Sequence, residues 1–358
     1  MALVTIIGGG NGAYAFAGWL SAQGNEVVLA DFEEFAENLK PLKRKGTIEV
    51  DGEIKGRFPV KVIDSVGEAV EAADTVLAVV PAFVHQRLAQ EIGGYLKPKT
   101  KVILNPGRTG GALEVYRAFQ AKGLILPVAE TQSLLFACLK NGATSVIIKG
   151  VKKTLDIGVM PACATADVVD DNLLKMLPML NTVPDVRYID LNNIGAMFHP
   201  SISILNATRI ERREEFVFYQ DGVTVSVGRL LGRLDAERTA IAKAWGVPVS
   251  RIQDWLSRSY LLTEASIVEM LQKNPAYHGT LGPDSLNYRY IIEDVPTGLV
   301  PLEIFGRLLG THTPLITALI EVAQALTGQD FRACGRNLSM MGLSDKTLAE
   351  IGNYIQNG

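Results

Sequence analysis

The sequence predicts an α/β protein in which a Rossmann-type, mostly parallel sheet domain, residues 1–187, precedes a mainly α-helical domain, residues 188–358. Three observations carry this reading. Short apolar runs alternate with helix-period stretches through the first half. A glycine-rich turn joins the first run to the first helix. From about Asp190 onward, proline-marked helix starts replace the apolar runs. A length of 358 residues fits two domains at roughly 150 residues each.

Leu3-Val4-Thr5-Ile6-Ile7 is a short apolar run ended by glycines, the pattern of a strand buried on both faces. Ala13, Phe16, Ala17 and Leu20 then fall on one face of a helix, and Gly24 is placed to end it in the left-handed conformation. Glu26 to Asp31 forms a second strand. Further strands are expected at Thr75 to Val80, Val102 to Leu104 and Leu124 to Ala129. Thr47 to Ile54 contains Asp51-Gly52 between alternating runs, a hairpin signal. Val146 to Lys149 and Leu155 to Met160 read as another antiparallel pair around Gly150. In the second half Pro248, Pro301 and Pro314 mark first helical turns, with Thr313 capping the last of these. Leu343, Ser344 and Leu348 form a staple-and-cap signature for the final helix, and the boundary between domains falls around Val183-Pro184-Asp185.

Composition narrows the function classes. Hydrophobic residues make up 47% and charged residues 20%, so the chain can bury large cores. Lys plus Arg number 35 against 38 Asp plus Glu, a net charge of −3, which supplies no bulk field for a nucleic-acid backbone. Cys138, Cys163 and Cys334 are too few and too widely spaced for a disulfide framework or a zinc site, which points to reduced thiols, a cytoplasmic setting and no metal. Met1 to Gly24 carries no charged side chain, but it lacks the basic start of a signal peptide and is interrupted by Gly8-Gly9-Gly10-Asn11-Gly12. A buried strand followed by a helix packed on a sheet explains it better.

Gly8-x-Gly10-x-x-Ala13 follows a predicted strand and opens a predicted helix, the context in which this pattern signals a dinucleotide. One glycine makes the tight turn and a second lets backbone approach a pyrophosphate. The small third residue allows close helix–strand packing, while the helix N-terminus offers free N–H groups to the phosphates. Gly8, Gly10, Asn11, Gly12 and Ala13 are therefore candidate cofactor residues. Asp31, 23 residues beyond Gly8, is placed to accept hydrogen bonds from the adenosine ribose and would repel a 2′-phosphate, which favours NAD over NADP. Asn105-Pro106-Gly107-Arg108-Thr109-Gly110-Gly111 and Val80-Pro81-Ala82-Phe83 leave other predicted strand ends. They make Asn105 and Pro81 candidates at the nicotinamide end, and a purely shape-determined loop remains open for both.

The chain has four histidines: His85, His199, His278 and His312. His199 precedes Pro200 at a predicted helix start among apolar neighbours. It is an acid/base candidate, although chemistry alone leaves a structural histidine open. Arg289 could grip a carboxylate with paired hydrogen bonds, and Asp294 could orient a histidine; an ordinary surface ion pair remains the alternative for these two.

At these segments the sequence resembles the opine dehydrogenase family, which includes octopine and nopaline dehydrogenases. The shared stretches include Gly10-Asn11-Gly12, Leu104-Asn105-Pro106-Gly107, Met197 with His199-Pro200, Leu205-Asn206-Ala207, Asp235-Ala236-Glu237-Arg238, Asn274-Pro275-Ala276-Tyr277, and Glu293-Asp294-Val295 with Thr297-Gly298-Leu299. The resemblance implies NADH-dependent reductive condensation of an amino acid with a 2-oxo acid, typically pyruvate, through an imine to a secondary-amine dicarboxylate. It also implies that His199 is the acid/base, Asp294 its partner, and Arg289 and Asn206 substrate-binding residues. NADH is the expected cofactor, with NADP allowed. The expected partners are the two small-molecule substrates, with neither nucleic acid nor membrane, and with a homodimer allowed. His278 and His312 lie outside matching motifs, which argues against catalytic roles for them. Two other readings stand beside this one: a reductase of a simple 2-oxo acid or polyol phosphate, and a non-catalytic NADH-binding sensor.

Overall fold

The computed structural model describes residues 2–358. The chain divides into two compact units. The first holds the residues up to Gly107, Gly111–Val186 and Met340–Gly358; the second holds Arg108–Gly110 and Arg187–Ser339.

Among the described residues of the first unit the strands, in chain order, are β1 (Leu3–Ile7), β2 (Glu26–Ala30), β3 (Thr47–Gly52), β4 (Gly56–Pro59), β5 (Lys61–Val62), β6 (Thr75–Ala78), β7 (Lys101–Leu104), β8 (Val128–Thr131), β9 (Phe136–Gly142), β10 (Ser145–Val151), β11 (Leu155–Met160) and β12 (Leu180–Thr182). Eight of them form one sheet in the order β12-β11-β8-β7-β6-β1-β2-β5, parallel except where β11 meets β8. The chain passes from β1 to β2 on one side and later places β6 on the other. That divergence opens a crevice at the carboxyl ends of β1 and β6, where sheets of this kind bind ligands.

A second sheet, β4-β3-β10-β9, packs on the first helix, Asn11–Ala22. Phe16 meets Phe136 edge-on with centroids 4.8 Å apart, and a Cβ at Gly18 would lie 2.3 Å from Val50 Cγ2. The helix is thus covered well beyond the single face that its periodicity marks, with Gly12 to Gly18 all buried. This double cover accounts for the absence of charge from the first 24 residues.

Several expected elements differ. The strand expected at Leu124 to Ala129 begins only after Pro127, which has no N–H to give a ladder, and runs Val128–Thr131. The two runs around Gly150 do not pair with each other. β10 pairs with β9 and β3, whereas β11 joins the large sheet, and Gly150 sits at a register irregularity inside β10. β9 carries no strand signal in the sequence, because Phe136-Ala137-Cys138-Leu139-Lys140 lacks a clean alternation. The Asp51-Gly52 hairpin exists with a wider loop: Val50 pairs with Gly56, while Asp51 and Gly52 continue along β10.

The final helix, Leu348–Asn357, belongs to the first unit and not to the helical domain 188–358. Tyr354 lies against Tyr116 at 6.1 Å and donates to Gln120 Oε1 at 2.9 Å. Its cap is Thr347 in a capping box with Glu350, not Ser344.

The second unit is built on helices including Gly195–Leu205, Val225–Ala244, Val300–Leu308 and Pro314–Thr327. Pro301 and Pro314 do sit in first turns, but Pro248 does not, since the next helix starts at Ile252. The Asp235-Ala236-Glu237-Arg238 segment is structural. Arg238 is fully buried, pairs with Asp235 at 2.6 Å and donates to the carbonyls of Leu191 and Ser250. Asp235 in turn accepts from Ile252 N–H at 3.0 Å. Glu237 accepts from the N–H groups of Leu315 and Ile316 at 2.9 and 3.0 Å, the capping role expected of Thr313, whose side chain does not cap. Glu237→Ala is expected to cost about 1 kcal/mol, which thermal unfolding would register as a Tm lower by roughly 2 °C.

Candidate active site

The glycine turn lies at the carboxyl end of β1. Gly8 has φ +123° and a Cβ there would stand 2.5 Å from the Val79 carbonyl oxygen, so only glycine fits. Gly10 occupies the N-cap position of the first helix with open space around its Cα. A Cβ at Gly12 would meet Leu134 at 2.8 Å and Val79 at 2.9 Å, which is the close packing that a small residue permits. The buried Ala13 follows. The turn therefore presents bare backbone at a helix N-terminus, a cradle that suits a pyrophosphate. Asn11 has a different contact: its Oδ1 accepts from Lys140 N–H at 3.0 Å and ties β9 to the helix.

Asp31 follows the last residue of β2 and is largely buried, with Oδ1 accepting from Phe32 N–H at 2.9 Å. Burial pushes its carboxyl upward against the pull of the Phe32 and Gly9 amides. Pro81 is half-buried and precedes a short 3₁₀ turn after β6. Asn105 is buried, and its amide is committed to the loop: Nδ2 donates to Thr131 Oγ1 at 2.5 Å and Oδ1 accepts from Leu135 N–H at 3.3 Å. His85 is fully buried at the start of the helix His85–Ile92.

In the second unit His199 and Asp294, 95 residues apart, meet with Nδ1 2.7 Å from Asp294 Oδ2. His199 is not at a helix start. It lies inside the helix Gly195–Leu205, which continues through Pro200, because a proline removes one hydrogen bond without ending a helix held by packing on both sides. The imidazole is stacked on Tyr290, with centroids 4.4 Å apart and planes at 19°. Its Nε2 is 3.2 Å from the Tyr219 hydroxyl, and Tyr219 is itself stacked on Tyr277 at 4.2 Å. An ionised carboxylate can only accept, so Nδ1 keeps its proton and donates it in a hydrogen bond to Asp294, which leaves the Nε2 lone pair toward the hydroxyl. Burial raises the Tyr219 phenol well above its ordinary range and keeps it protonated.

Asp294 is fully buried and stays charged. Burial alone would raise its carboxyl, but the Arg108 guanidinium, with Nη1 3.2 Å from Oδ1, and then His199 outweigh it and hold the pKa below the ordinary value. Glu293, equally buried, lies between two arginines. Arg108 Nε is 3.3 Å from Oε1, and Arg289 reaches Oε2 through Nη2 at 2.8 Å and Nε at 3.0 Å. Arg289 is nearly half exposed and keeps guanidinium surface for a ligand, whereas Arg108 is buried. Asn206 does not join this group. Its amide donates to the Ile202 and Gly222 carbonyls at 2.9 and 3.0 Å and closes the end of the His199 helix.

Sequence reading missed three residues here. Arg108 stood in a segment read for its glycines, and its φ of +67° is a backbone value invisible in the sequence. Tyr219 and Tyr290 carried no signal, because aromatic residues at such spacings are ordinary core.

A dinucleotide-type sheet with its glycine cradle, together with a helical unit holding a histidine–carboxylate pair, defines the class of two-domain nicotinamide-dependent dehydrogenases. Residues 3–141 match the family described as NAD-dependent glycerol-3-phosphate dehydrogenase N-terminus, and residues 182–327 match the NAD/NADP octopine/nopaline dehydrogenase, alpha-helical domain. The chain is 38% identical to an opine dehydrogenase of Arthrobacter sp. (strain 1C) over 98% of each sequence. It is 27% identical to an opine dehydrogenase of Haliotis discus hannai over 91% of this chain and 90% of that one. In fold it is similar to an octopine dehydrogenase solved with NADH and agmatine, at a TM-score of 0.82 and 21% identity over 100% of this chain and 98% of the other. It is also similar to yersinopine dehydrogenase with NADP+ bound, at a TM-score of 0.72 and 17% identity over 99% and 98%. The chain belongs to the opine dehydrogenase family.

Proposed function

We propose that this protein condenses the amino group of an amino acid with a 2-oxo acid, pyruvate being the expected one, and reduces the resulting imine with NADH to a secondary-amine dicarboxylate. The observation that carries this reading is the buried Asp294 carboxylate 2.7 Å from His199 Nδ1. Membership of the family supports it, as do related octopine dehydrogenases solved with NADH and L-arginine and with NADH and pyruvate.

Gly8, Gly10, Gly12 and the N–H groups that open the first helix would hold the cofactor pyrophosphate, and Asp31 would accept from the adenosine ribose, which favours NADH. Ala13 lets the helix pack on the sheet behind them. Asn105 shapes the loop after β7 through Thr131 and Leu135. When bound, the reduced nicotinamide supplies the hydride to the imine carbon. The remaining work is proton transfer and binding. Neutral His199 takes a proton at Nε2 from the substrate ammonium, which frees the amine to attack the keto carbon. The imidazolium then returns the proton to the carbinolamine hydroxyl, which leaves as water. Asp294 holds the Nδ1–H tautomer through this cycle and stabilises the cation. With no substrate bound the Tyr219 hydroxyl donates to the Nε2 lone pair, and it gives up that contact when the substrate ammonium takes its place. Arg289 offers its exposed edge to a substrate carboxylate, while the buried Arg108 keeps Asp294 ionised.

The test follows NADH oxidation by the purified protein with pyruvate, repeated with each amino acid. Oxidation that requires both substrates and yields the N-carboxyethyl product supports the reading. Oxidation by the 2-oxo acid alone would make the protein a simple 2-oxo-acid reductase, and NADH binding without turnover would make it a sensor. We place the enzyme in the cytoplasm on its three scattered cysteines, and sedimentation of the purified protein decides whether it works as a homodimer.

A further inference from the structure

Lys140, in β9, has no role in the reading above, yet it is held against the cofactor cradle by three contacts. Its backbone N–H donates to Asn11 Oδ1 at 3.0 Å, at the first residue of the first helix. Its Nζ donates to the Gly9 carbonyl at 3.1 Å, inside the glycine turn. The ammonium also stands 3.7 Å above the centre of the Tyr14 ring, and that ring is fixed by its hydroxyl donating to the carbonyls of Ala143 and Asn38 at 3.0 and 3.3 Å.

The ammonium is half-withdrawn from solvent and satisfied by a carbonyl and a ring face, with no carboxylate in ion-pair range among the described residues. Burial lowers its pKa, and Asp31, the nearby carboxylate, opposes that shift. A neutral carbonyl is a weaker partner for an ammonium than an anionic oxygen. The other acceptors the cradle would receive are the phosphate oxygens of a dinucleotide, approaching the same turn over Gly9 and Gly10. The glycines supply N–H groups but no full charge, and Asp31 places a negative one beside them.

We propose that Lys140 binds a phosphate of the dinucleotide, releasing the Gly9 carbonyl as the cofactor enters and bringing to the cradle the cation that its backbone lacks. This rests on the reading of the glycine turn as a dinucleotide site. The phosphate is either the pyrophosphate shared by all such cofactors or the 2′-phosphate of NADP, and the two make different demands. A pyrophosphate contact serves NADH and NADPH alike, whereas a 2′-phosphate contact serves NADPH only and offsets the repulsion from Asp31.

The experiment titrates the wild type, Lys140→Met and Lys140→Arg with NADH and NADPH by nicotinamide fluorescence, and with adenosine by calorimetry. Met keeps the stem and the backbone N–H but loses the charge. The expected result is a Kd for NADH about 10-fold weaker in Lys140→Met, largely restored in Lys140→Arg, with adenosine affinity unchanged. Weakening confined to NADPH also supports the phosphate contact and assigns it to the 2′-position. Equal affinity of wild type and Lys140→Met for both dinucleotides overturns it, and so does an equal loss for adenosine, which would make Lys140 a structural tether. Absence of any NADH binding by the wild type would instead overturn the cofactor reading itself.

Discussion

Replacing His199 with Ala is expected to lower kcat/KM for the condensation by about 10²–10⁴-fold, the usual span for a lost general acid/base. The Kd for NADH, read by fluorescence, is expected to stay within about 2-fold, because the glycine cradle and Asp31 belong to a different unit of the chain. The imidazole also packs on Tyr290 and meets Asp294, so the alanine variant could lose activity merely by loosening the helix. His199→Gln controls for this, since it retains bulk and hydrogen bonding but cannot cycle a proton at neutral pH. Activity in Gln within 10-fold of wild type would remove His199 from the chemistry.

Replacing Asp294 with Asn is expected to be nearly as damaging to turnover and to show a second signature in stability. An amide can present its NH₂ to Nδ1 and turn the imidazole into the wrong tautomer, and a loss of roughly 10²–10⁴-fold in kcat follows. Arg108 would keep Glu293 as its one buried counter-charge. Breaking a buried pair from one side costs about 3–5 kcal/mol; with Glu293 remaining, the lower end of that range is expected in denaturant unfolding. The pH dependence has a definite sign. Arg108 and His199 hold the folded-state carboxyl of Asp294 below its ordinary value. Its contribution is therefore fully present above the unfolded pKa of about 3.9 and is lost as pH falls through the lower folded value. Wild type and Asp294→Asn should converge in stability on acidification; a gap that stays constant from pH 7 to acid would show that the carboxylate charge is not what stabilises the site.

Much of the first unit was legible because its signals are local. Leu3–Ile7 reads as a buried strand, Gly8 must take a positive φ, and Asp31 follows the second strand at the required distance. These depend on neighbours within some 30 residues of chain. Capping was less legible. Ser344 and Thr313 look like caps in the sequence, yet the carboxylates and hydroxyls that reach the free N–H groups are those of Glu237 and the Thr347–Glu350 box. The Glu237 cap comes from another helix and leaves no local trace, whereas Thr347-x-x-Glu350 is a local pattern that competes with Ser344 three residues upstream. β9 was missed for a related reason, since it is held as much by the first helix and β10 as by any pattern of its own.

The candidate site divides in the same way. The resemblance placed His199, Asp294 and Arg289 on segments far apart in the chain. The 2.7 Å contact, the hydroxyl of Tyr219 on Nε2 and the buried Arg108 behind Asp294 came only with the folded second unit. By itself the sequence determined the α/β class, the glycine cradle with its acidic partner and the identity of the acid/base candidate. The first two are matters of backbone sterics or residue chemistry at short range, and the third comes from the family resemblance. Tertiary structure decided which sheet receives β10 and β11, which unit claims the last helix, and which charges surround Asp294. Those are choices among distant surfaces of similar polarity, and packing settles them where local pattern carries no information.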